Sequence, residues 1–399
     1  MLAYAFYDSD TRIRRYAEAL IGQGAAVDAI ALRRQGQTTE EFVAGVRVFR
    51  LQKREYTEKG PLSYLLRLLL FFVRSAWVIT VNHIRDPYDV IHVHSVPDFE
   101  VFATLIPRVM GARVILDIHD IVPELYASKF KISHESIVFR FLVFVEKVSI
   151  RYSNHVIIAN HLWHERLIQR AQCSRKCSTI LNYPDRSVFY RRQRPVEGKN
   201  DFVMFYPGTL SWHQGVDLVI HAMARLRSEA PNLRLVIFGD GHQRDALLAL
   251  AKQCDVDSQV TIRTERPTIE VAEMMSRTDL GLEPKRKRSF ANEALSTKIL
   301  EFMAMEVPVL ASDTRVHEMY FKDSIEYFES ENVDNLAAKI LEMMQKPERR
   351  RILQDRGTEL VKHYDWGEKK LEYLKLIAHL VDGSAKKSRF RPSMHRRHG

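Results

Sequence analysis

The stretch SFANEALSTKILEFMAMEVPVLAS, residues 289–312, decides how the chain folds. In its second half Ile299, Leu300, Met303 and Ala304 recur at helical spacing, and Pro308 then introduces a short strand, Val309–Ala311. A helix feeding a short β-branched strand is one unit of an α/β sheet. The first half does not suit a plain core helix. Glu293 and Glu301 stand eight apart there, with Ser296, Thr297 and Lys298 between them.

The same alternation fills the chain. In the first half, strands are predicted at Leu2–Phe6, Val27–Leu32, Val46–Leu51, Val90–His94, Val114–Ile118 and Val156–Ala159. Amphipathic helices separate them, at Arg12–Ile21, Leu62–Val81 and Ser136–Tyr152. In the second half, strands are predicted at Phe202–Tyr206, Leu233–Gly239, Val260–Ile262, Leu280–Leu282, Val309–Ala311 and Ile325–Phe328. Short β-branched runs separated by helices argue a parallel sheet with crossover helices.

The polar stretch RRQRPVEGKN, residues 191–200, reads as a linker. The domains expected are therefore 1–195 and 196–365, each Rossmann-like and doubly wound. A last helix, 366–382, carries Leu371, Leu374 and Ala378 on one face and is expected to pack back toward the first domain. A basic tail, 383–399, is expected to be disordered. Open α/β sheets bind ligands beyond the carboxyl ends of their strands, so two in series predict a cleft lined from both halves.

Composition fits this plan. The 399 residues are 46% hydrophobic, enough for two cores at about 100–200 residues per domain. Cys173, Cys177 and Cys254 give no disulfide framework, which suits a reducing cytosol, and the opening MLAYAFYDSD has acids where a secretory leader is basic. The net charge of +10 suits a polyanionic, lipid or phosphorylated partner. With no nucleic-acid-binding motif in view, DNA and RNA are not expected partners.

Ser296 is a good N-cap, so a helix is predicted from Thr297 to Met305. Its free first-turn N–H groups form an anion site to which Lys298 adds a full charge. The plain alternative is a capped helix with a Lys298–Glu301 surface pair. His119 follows the strand Val114–Ile118 at its carboxyl end, with Asp120 and Glu124 close behind. A histidine with neighbouring acids can polarise an acceptor hydroxyl, or simply order its own loop.

Glu293 and Glu301 match the E-x7-E signature of family 4 retaining glycosyltransferases, and the block STKILEFMAMEVPVLASD resembles its surroundings. Other stretches resemble the family in chain order: YDSDTRIRRYAEAL (7–20), DIHDIVPELY (117–126), FYPGTLSWHQGVDLVIHAM (205–223) and LRLVIFGDGHQRDAL (233–247). The resemblance implies a GT-B fold, two doubly wound Rossmann-like domains facing a cleft, and retention without an obligatory metal or cofactor. Carried over, Glu293 contacts the donor sugar and His119 is the active-site histidine. Leu295, Ser296 and Lys298 hold the diphosphate, and Glu301 binds ribose hydroxyls, a diol that a carboxylate suits. Gly208 and Thr209, with Gly239 and Gly241 of the G-D-G turn, line the donor pocket. Asp10, Arg12, Arg15, Asp120 and Glu124 are candidates for acceptor or phosphate.

The chain departs from that pattern at three places. Thr209 and Gln214 stand where members carry Arg and Lys, Glu306 stands where glycine is usual, and the first loop lacks a Gly-Gly pair. Diphosphate binding then leans on Lys298 and on the run Lys285-Arg286-Lys287-Arg288, whose charge pattern alone reads as a solvated loop. His92 and His94 with Asp117, His119 and Asp120 can also be read as a metal cluster, but histidines alternating on a buried strand read better as core, and no metal is assigned.

The stretch 63–81 is interrupted by Arg67 and Arg74, so it does not read as a spanning segment. Leu65, Leu66, Leu69, Leu70, Val73 and Trp77 share one broad face, open to two readings: contact with an anionic membrane, or packing on the sheet. The expectation is a cytoplasmic transferase, peripheral on the inner face of the membrane. It would move a sugar from a nucleotide sugar to a glycan or lipid-linked acceptor in surface-polysaccharide assembly. The alternatives are a soluble acceptor, or a catalytically weak homologue that binds nucleotide sugar or glycan.

Overall fold

The computed structural model describes residues 1–54, 61–130, 132–193, 201–264 and 266–382, with the side chains of Pro61, Leu62 and Lys129 excepted. Most of the expected linker, 194–200, and the basic tail, 383–399, lie outside the described residues. The chain forms two compact units. One is Met1–Leu181 with the chain from Gly367 on, and the other is Asn182–Trp366.

The first boundary thus falls at 181/182, ahead of the polar stretch. The reason is packing. Tyr183 and Phe189 are buried, Tyr183 meets the ring of Trp366 at 6.4 Å, and Arg191 reaches Glu306 at 3.3 Å, so 182–193 belongs with the second unit.

The first unit holds eight strands: β1 Leu2–Ala3, β2 Asp28–Arg33, β3 Glu40–Val43, β4 Val46–Lys53, β5 Val90–His94, β6 Arg113–Ile118, β7 His155–Ile158 and β8 Cys177–Thr179. Their order is β3-β4-β2-β1-β5-β6-β7-β8, parallel except for the β3–β4 hairpin. That hairpin turns through Ala44 and Gly45, both at positive φ, as a two-residue turn requires. The second unit adds β9 Phe202–Pro207, β10 Leu233–Phe238, β11 Val260–Arg263, β12 Leu280–Glu283, β13 Val309–Ser312 and β14 Glu326–Phe328. Their order, β11-β10-β9-β12-β13-β14, is parallel throughout and reverses direction between β9 and β12. A ligand site is expected beyond the carboxyl ends of those two strands.

Helices cover the sheets as amphipathic layers. Thr11–Ile21 begins at Asp10, whose carboxylate accepts from the backbone N–H of Arg12 and Ile13. Ile137–Tyr152 begins at Ser136, which caps Phe139 N–H at 3.1 Å. The helix Pro61–Arg85 is the one segment among the described residues long and apolar enough to cross a membrane by length and composition. Here it lies along the unit: Leu68, Phe71, Ser75, Ile79 and His83 are buried, and Arg74 donates to Leu51 O at 3.2 Å.

The last helix, Trp366–Asp382, corrects the face expected of it. Tyr373 and Val381 are buried, whereas Leu371 and Ala378 are exposed. Tyr373 wins because its ring packs on Tyr16 at 4.3 Å and its hydroxyl meets His92 Nδ1 at 3.1 Å, a partner that Leu371 cannot use.

Candidate active site

The donor-side candidates collect at the predicted switch point of the second unit. β12 is a buried strand, Leu-Gly-Leu-Glu, that ends in a carboxylate: Glu283 is fully buried. Lys298 Nζ lies 2.8 Å from one of its oxygens, and Lys285 Nζ lies 3.2 Å from the other. Burial alone would raise the Glu283 pKa, but the two ammonium charges outweigh it and hold the carboxyl at about 2. Burial likewise works against charge on Lys298, and Glu283 reverses that and raises its pKa. The pair is therefore fully ionised at neutral pH. Lys298 is not half of a surface pair with Glu301.

Two further contacts aim Lys298. Its ammonium sits 4.3 Å from the ring centroid of Tyr206, at the end of β9, and donates to the Tyr206 hydroxyl at 3.3 Å. Gly208 leaves the room: a Cβ there would stand 2.9 Å from Lys298 Nζ. The G-D-G turn packs against this segment backbone to backbone. A Cβ on Gly239 would lie 1.9 Å from Gly208 O, and one on Gly241 2.3 Å from Leu210 O. Thr209 is exposed, and its carbonyl accepts from Tyr206 Oη at 3.1 Å.

Ser296 stands at the N-cap of the helix Thr297–Ala304 in extended conformation, yet its side chain makes no capping hydrogen bond. The capping bond expected of it is absent, and the helix is one residue shorter than predicted. Half-buried Leu295 precedes it, and Glu301 lies one turn beyond Lys298, also half-buried. Glu293 ends the short turn Phe290–Asn292 and receives Arg315 Nη1 at 3.0 Å. Together the elements form a helix start with its own cation and a carboxylate on either side. That set can hold a diphosphate and hydrogen-bond a sugar or a diol.

The basic run departs from a solvated loop. Lys285 and Arg286 are buried. Lys285 also donates to Ala294 O at 2.8 Å. Arg286 grips both Asp217 oxygens at 3.0 and 2.7 Å and lies 4.7 Å over the Trp212 ring. Lys287 pairs with Asp313 at 3.0 Å, leaving Arg288 at 89% side-chain exposure as the solvated member. His213 sits beside these cations; burial first, then Lys285 and Lys298, bring its pKa down to about 4, so it is neutral.

The first-unit candidates gather around Asp117, which is fully buried on β6. Arg12 clamps it with Nη2 at 2.6 Å and Nε at 2.8 Å, and also donates to Leu181 O at 3.0 Å. His119 Nε2 lies 3.1 Å from Asp117 Oδ2 and 3.2 Å from His94 Nδ1, which is itself 3.2 Å from Asp117. Burial alone would raise the Asp117 carboxyl; Arg12 and then His119 outweigh it and hold it well below its ordinary range. Burial, reinforced by His92, keeps His94 well below its own.

This geometry moves several expectations. Arg12 does not reach toward a ligand; it is buried as the counter-ion of Asp117. Asp10 is the helix cap, and Arg15 donates to Thr11 O at 3.2 Å. Half-buried Asp120 follows His119, but Glu124 is engaged by Arg166 and Arg170 on another helix. His92, His94 and Asp117 lie close enough to ligate a metal. With both Asp117 oxygens on a guanidinium, however, the cluster already has a cation that neutralises its one carboxylate.

Sequence reasoning missed Glu283 and Tyr206. The available signal was a glutamate ending an apolar strand, which must be paired if it is buried.

A Glycosyl transferase 4-like domain matches residues 9–180, and a Glycosyl transferases group 1 domain matches 190–360. The putative glycosyltransferase EpsD of Bacillus subtilis (strain 168) is 28% identical over 161 residues, 40% of this chain and 40% of that protein. That match spans well under two thirds of its length. Among solved structures, sucrose-phosphate synthase from Thermosynechococcus elongatus has a TM-score of 0.77 at 18% identity, covering 96% of this chain and 99% of that one. HepE from Anabaena in complex with UDP-glucose has a TM-score of 0.68 at 15% identity, covering 96% and 98%. With both family domains in chain order and that fold around them, this chain belongs to the GT-B glycosyltransferases.

Proposed function

We propose that the chain is a retaining glycosyltransferase that moves a sugar from a nucleotide-diphosphate sugar to a lipid-linked glycan acceptor. The observation that carries this reading is the Lys298–Glu283 pair at the uncapped start of Thr297–Ala304. A buried carboxylate fixes an ammonium where a diphosphate would gather negative charge as it leaves. HepE, which shares the fold, is a UDP-glucose complex and supports a nucleotide sugar as donor. Glu301 then binds the ribose, Glu293 the sugar, and the Gly208–Thr209 and Gly239–Gly241 segments the walls.

The acceptor hydroxyl attacks from the face the nucleotide leaves; the bond from the sugar to the diphosphate breaks and the hydroxyl proton passes to the departing diphosphate, which gives retention without a covalent sugar–enzyme bond. His119, backed by Asp117, is the acceptor-side residue of the first unit. Lys298 and Lys285 supply the cationic charge, so no metal is required. The acceptor is assigned to surface-polysaccharide assembly at the cytoplasmic face of a bacterial membrane, supported by the apolar and basic helices of the first unit.

One observation favours a weaker reading, a homologue that binds nucleotide sugar without turning it over: Thr209 and Gln214 supply no cation to the diphosphate. Thermal unfolding against a panel of nucleotide sugars tests binding, since a ligand of the folded state raises apparent stability by mass action. Slow donor hydrolysis without acceptor separates the two readings: an enzyme releases nucleotide, whereas a binding module does not.

A further inference from the structure

The first unit turns a broad apolar surface outward. Opposite its buried face, Pro61–Arg85 exposes Leu66, Leu70, Val73 and Trp77, the last at 72%. The short helix Leu105–Val109 exposes Ile106 and Val109, the latter at 81%. Ile137–Tyr152 exposes Ile137, at 84%, with Phe141 and Phe144.

The three helices are neighbours. Phe72 meets Phe99 at 5.9 Å, in the turn Asp98–Thr104 that runs into Leu105–Val109. Arg108 of that second helix lies 4.2 Å over the ring of Tyr152, at the end of the third. Exposed apolar side chains recurring on three neighbouring helices mark an interface.

Charge decides what covers it. Over all three helices the single carboxylate is Glu146, which is buried and held by Arg170 at 3.1 Å. Cations recur along them instead, with Arg74, Arg85, Arg140 and Lys147 exposed. A second copy of the chain would bring this face only like charge. An anionic bilayer offers apolar depth and a plane of phosphates together.

We infer that this three-helix face docks on an anionic lipid bilayer. Its leucine, valine and aromatic side chains enter the headgroup region, and its arginines and lysine lie among the phosphates. The inference rests on the lipid-linked acceptor reading only for its purpose. Its observations belong to the first unit, apart from the donor residues of the second.

The test is co-sedimentation of the full chain with vesicles of phosphatidylcholine alone or mixed with phosphatidylglycerol. The mixed vesicles should bind it, the neutral ones far less, and binding should fall as salt shortens the screening length from about 10 Å at 0.1 M to about 3 Å at 1 M. Each cation near the surface contributes about fivefold in partition, so Arg140→Glu with Lys147→Glu should lower binding by well over tenfold. Trp77→Glu with Phe141→Glu should lower it by about tenfold or more.

A readout that needs no charged variant is quenching of tryptophan emission by brominated lipid. Wild type should be quenched and Trp77→Phe much less. Equal binding to both vesicle types, or an unquenched Trp77, overturns the inference. So does concentration-dependent dimerisation without vesicle binding, or binding only to vesicles that carry membrane proteins. Donor hydrolysis in the absence of vesicles should survive all these variants. Its failure in wild type would strike the transfer reading and leave the docking result standing.

Discussion

Replacing Glu283 with glutamine removes the carboxylate that anchors two ammonium groups. Lys298 lies 2.8 Å from it and Lys285 3.2 Å, with side-chain exposures of 15% and 5%. Bringing that carboxyl from its ordinary 4.5 to about 2 corresponds to about 3 kcal/mol at neutral pH. Breaking a buried pair by removing one partner costs about 3–5 kcal/mol by general experience, because the other charge stays buried. The two routes agree, and about 3 kcal/mol should lower the melting temperature by roughly 6–12 °C.

Because the folded pKa is depressed, this contribution is complete above about pH 4.5 in wild type. It is lost as pH falls through about 2, so the wild-type and Glu283→Gln melting curves should converge in acid. Nucleoside diphosphate affinity should fall as well, since Lys298 loses the partner that fixes it over Tyr206. Adding Lys298→Met to Glu283→Gln should recover part of the stability, since Lys285 keeps its charge, but none of the affinity. A loss below about 1 kcal/mol with unchanged diphosphate binding would refute the reasoning: the pair would then be neither buried nor organising.

Glu306 sits at φ 57°, and its N–H and that of Val307 close the helix on Met303 O at 3.1 Å and Phe302 O at 2.9 Å. Glycine tolerates that left-handed position, so Glu306→Gly should stabilise the chain by about 0.5–1 kcal/mol, the largely exposed Arg191 pair counting for little; a loss in urea unfolding would contradict this. Glu301→Ala should raise the donor dissociation constant, whereas Glu293→Gln should mainly lower kcat; unchanged constants in both variants would remove the pair from the site. Activity should survive EDTA, because Arg12 rather than a metal neutralises Asp117; loss on chelation with rescue by a divalent ion would make the histidine cluster a metal site.

The two sheets were legible because their strands are buried on both faces. Val-Ile-His-Val-His, Val-Ile-Leu-Asp-Ile and Phe-Val-Met-Phe-Tyr cannot be mistaken for exposed segments. Glu40–Val43 was missed because an edge strand carries charge on the residues it shows to water, and Cys177–Thr179 because three residues hold no period. Glu293, Ser296, Lys298 and Glu301 were readable since they share one local segment. Their organising partner was not: Glu283 comes from another strand, just as Arg12 and Asp117 meet across 105 positions. Sequence shows which residues carry charge, whereas the pairing is tertiary. That is why Arg12, Glu124 and Arg286 were candidates for ligands and prove to be counter-ions.

The central claim, sugar transfer with retention at the Lys298–Glu283 site, is tested most directly by proton NMR of the first sugar product formed from an α-linked nucleotide sugar. The account predicts nucleotide release with the α anomer appearing first, and little of either in Glu283→Gln. A β anomer appearing first, or no nucleotide release from any donor in a broad panel, would contradict it.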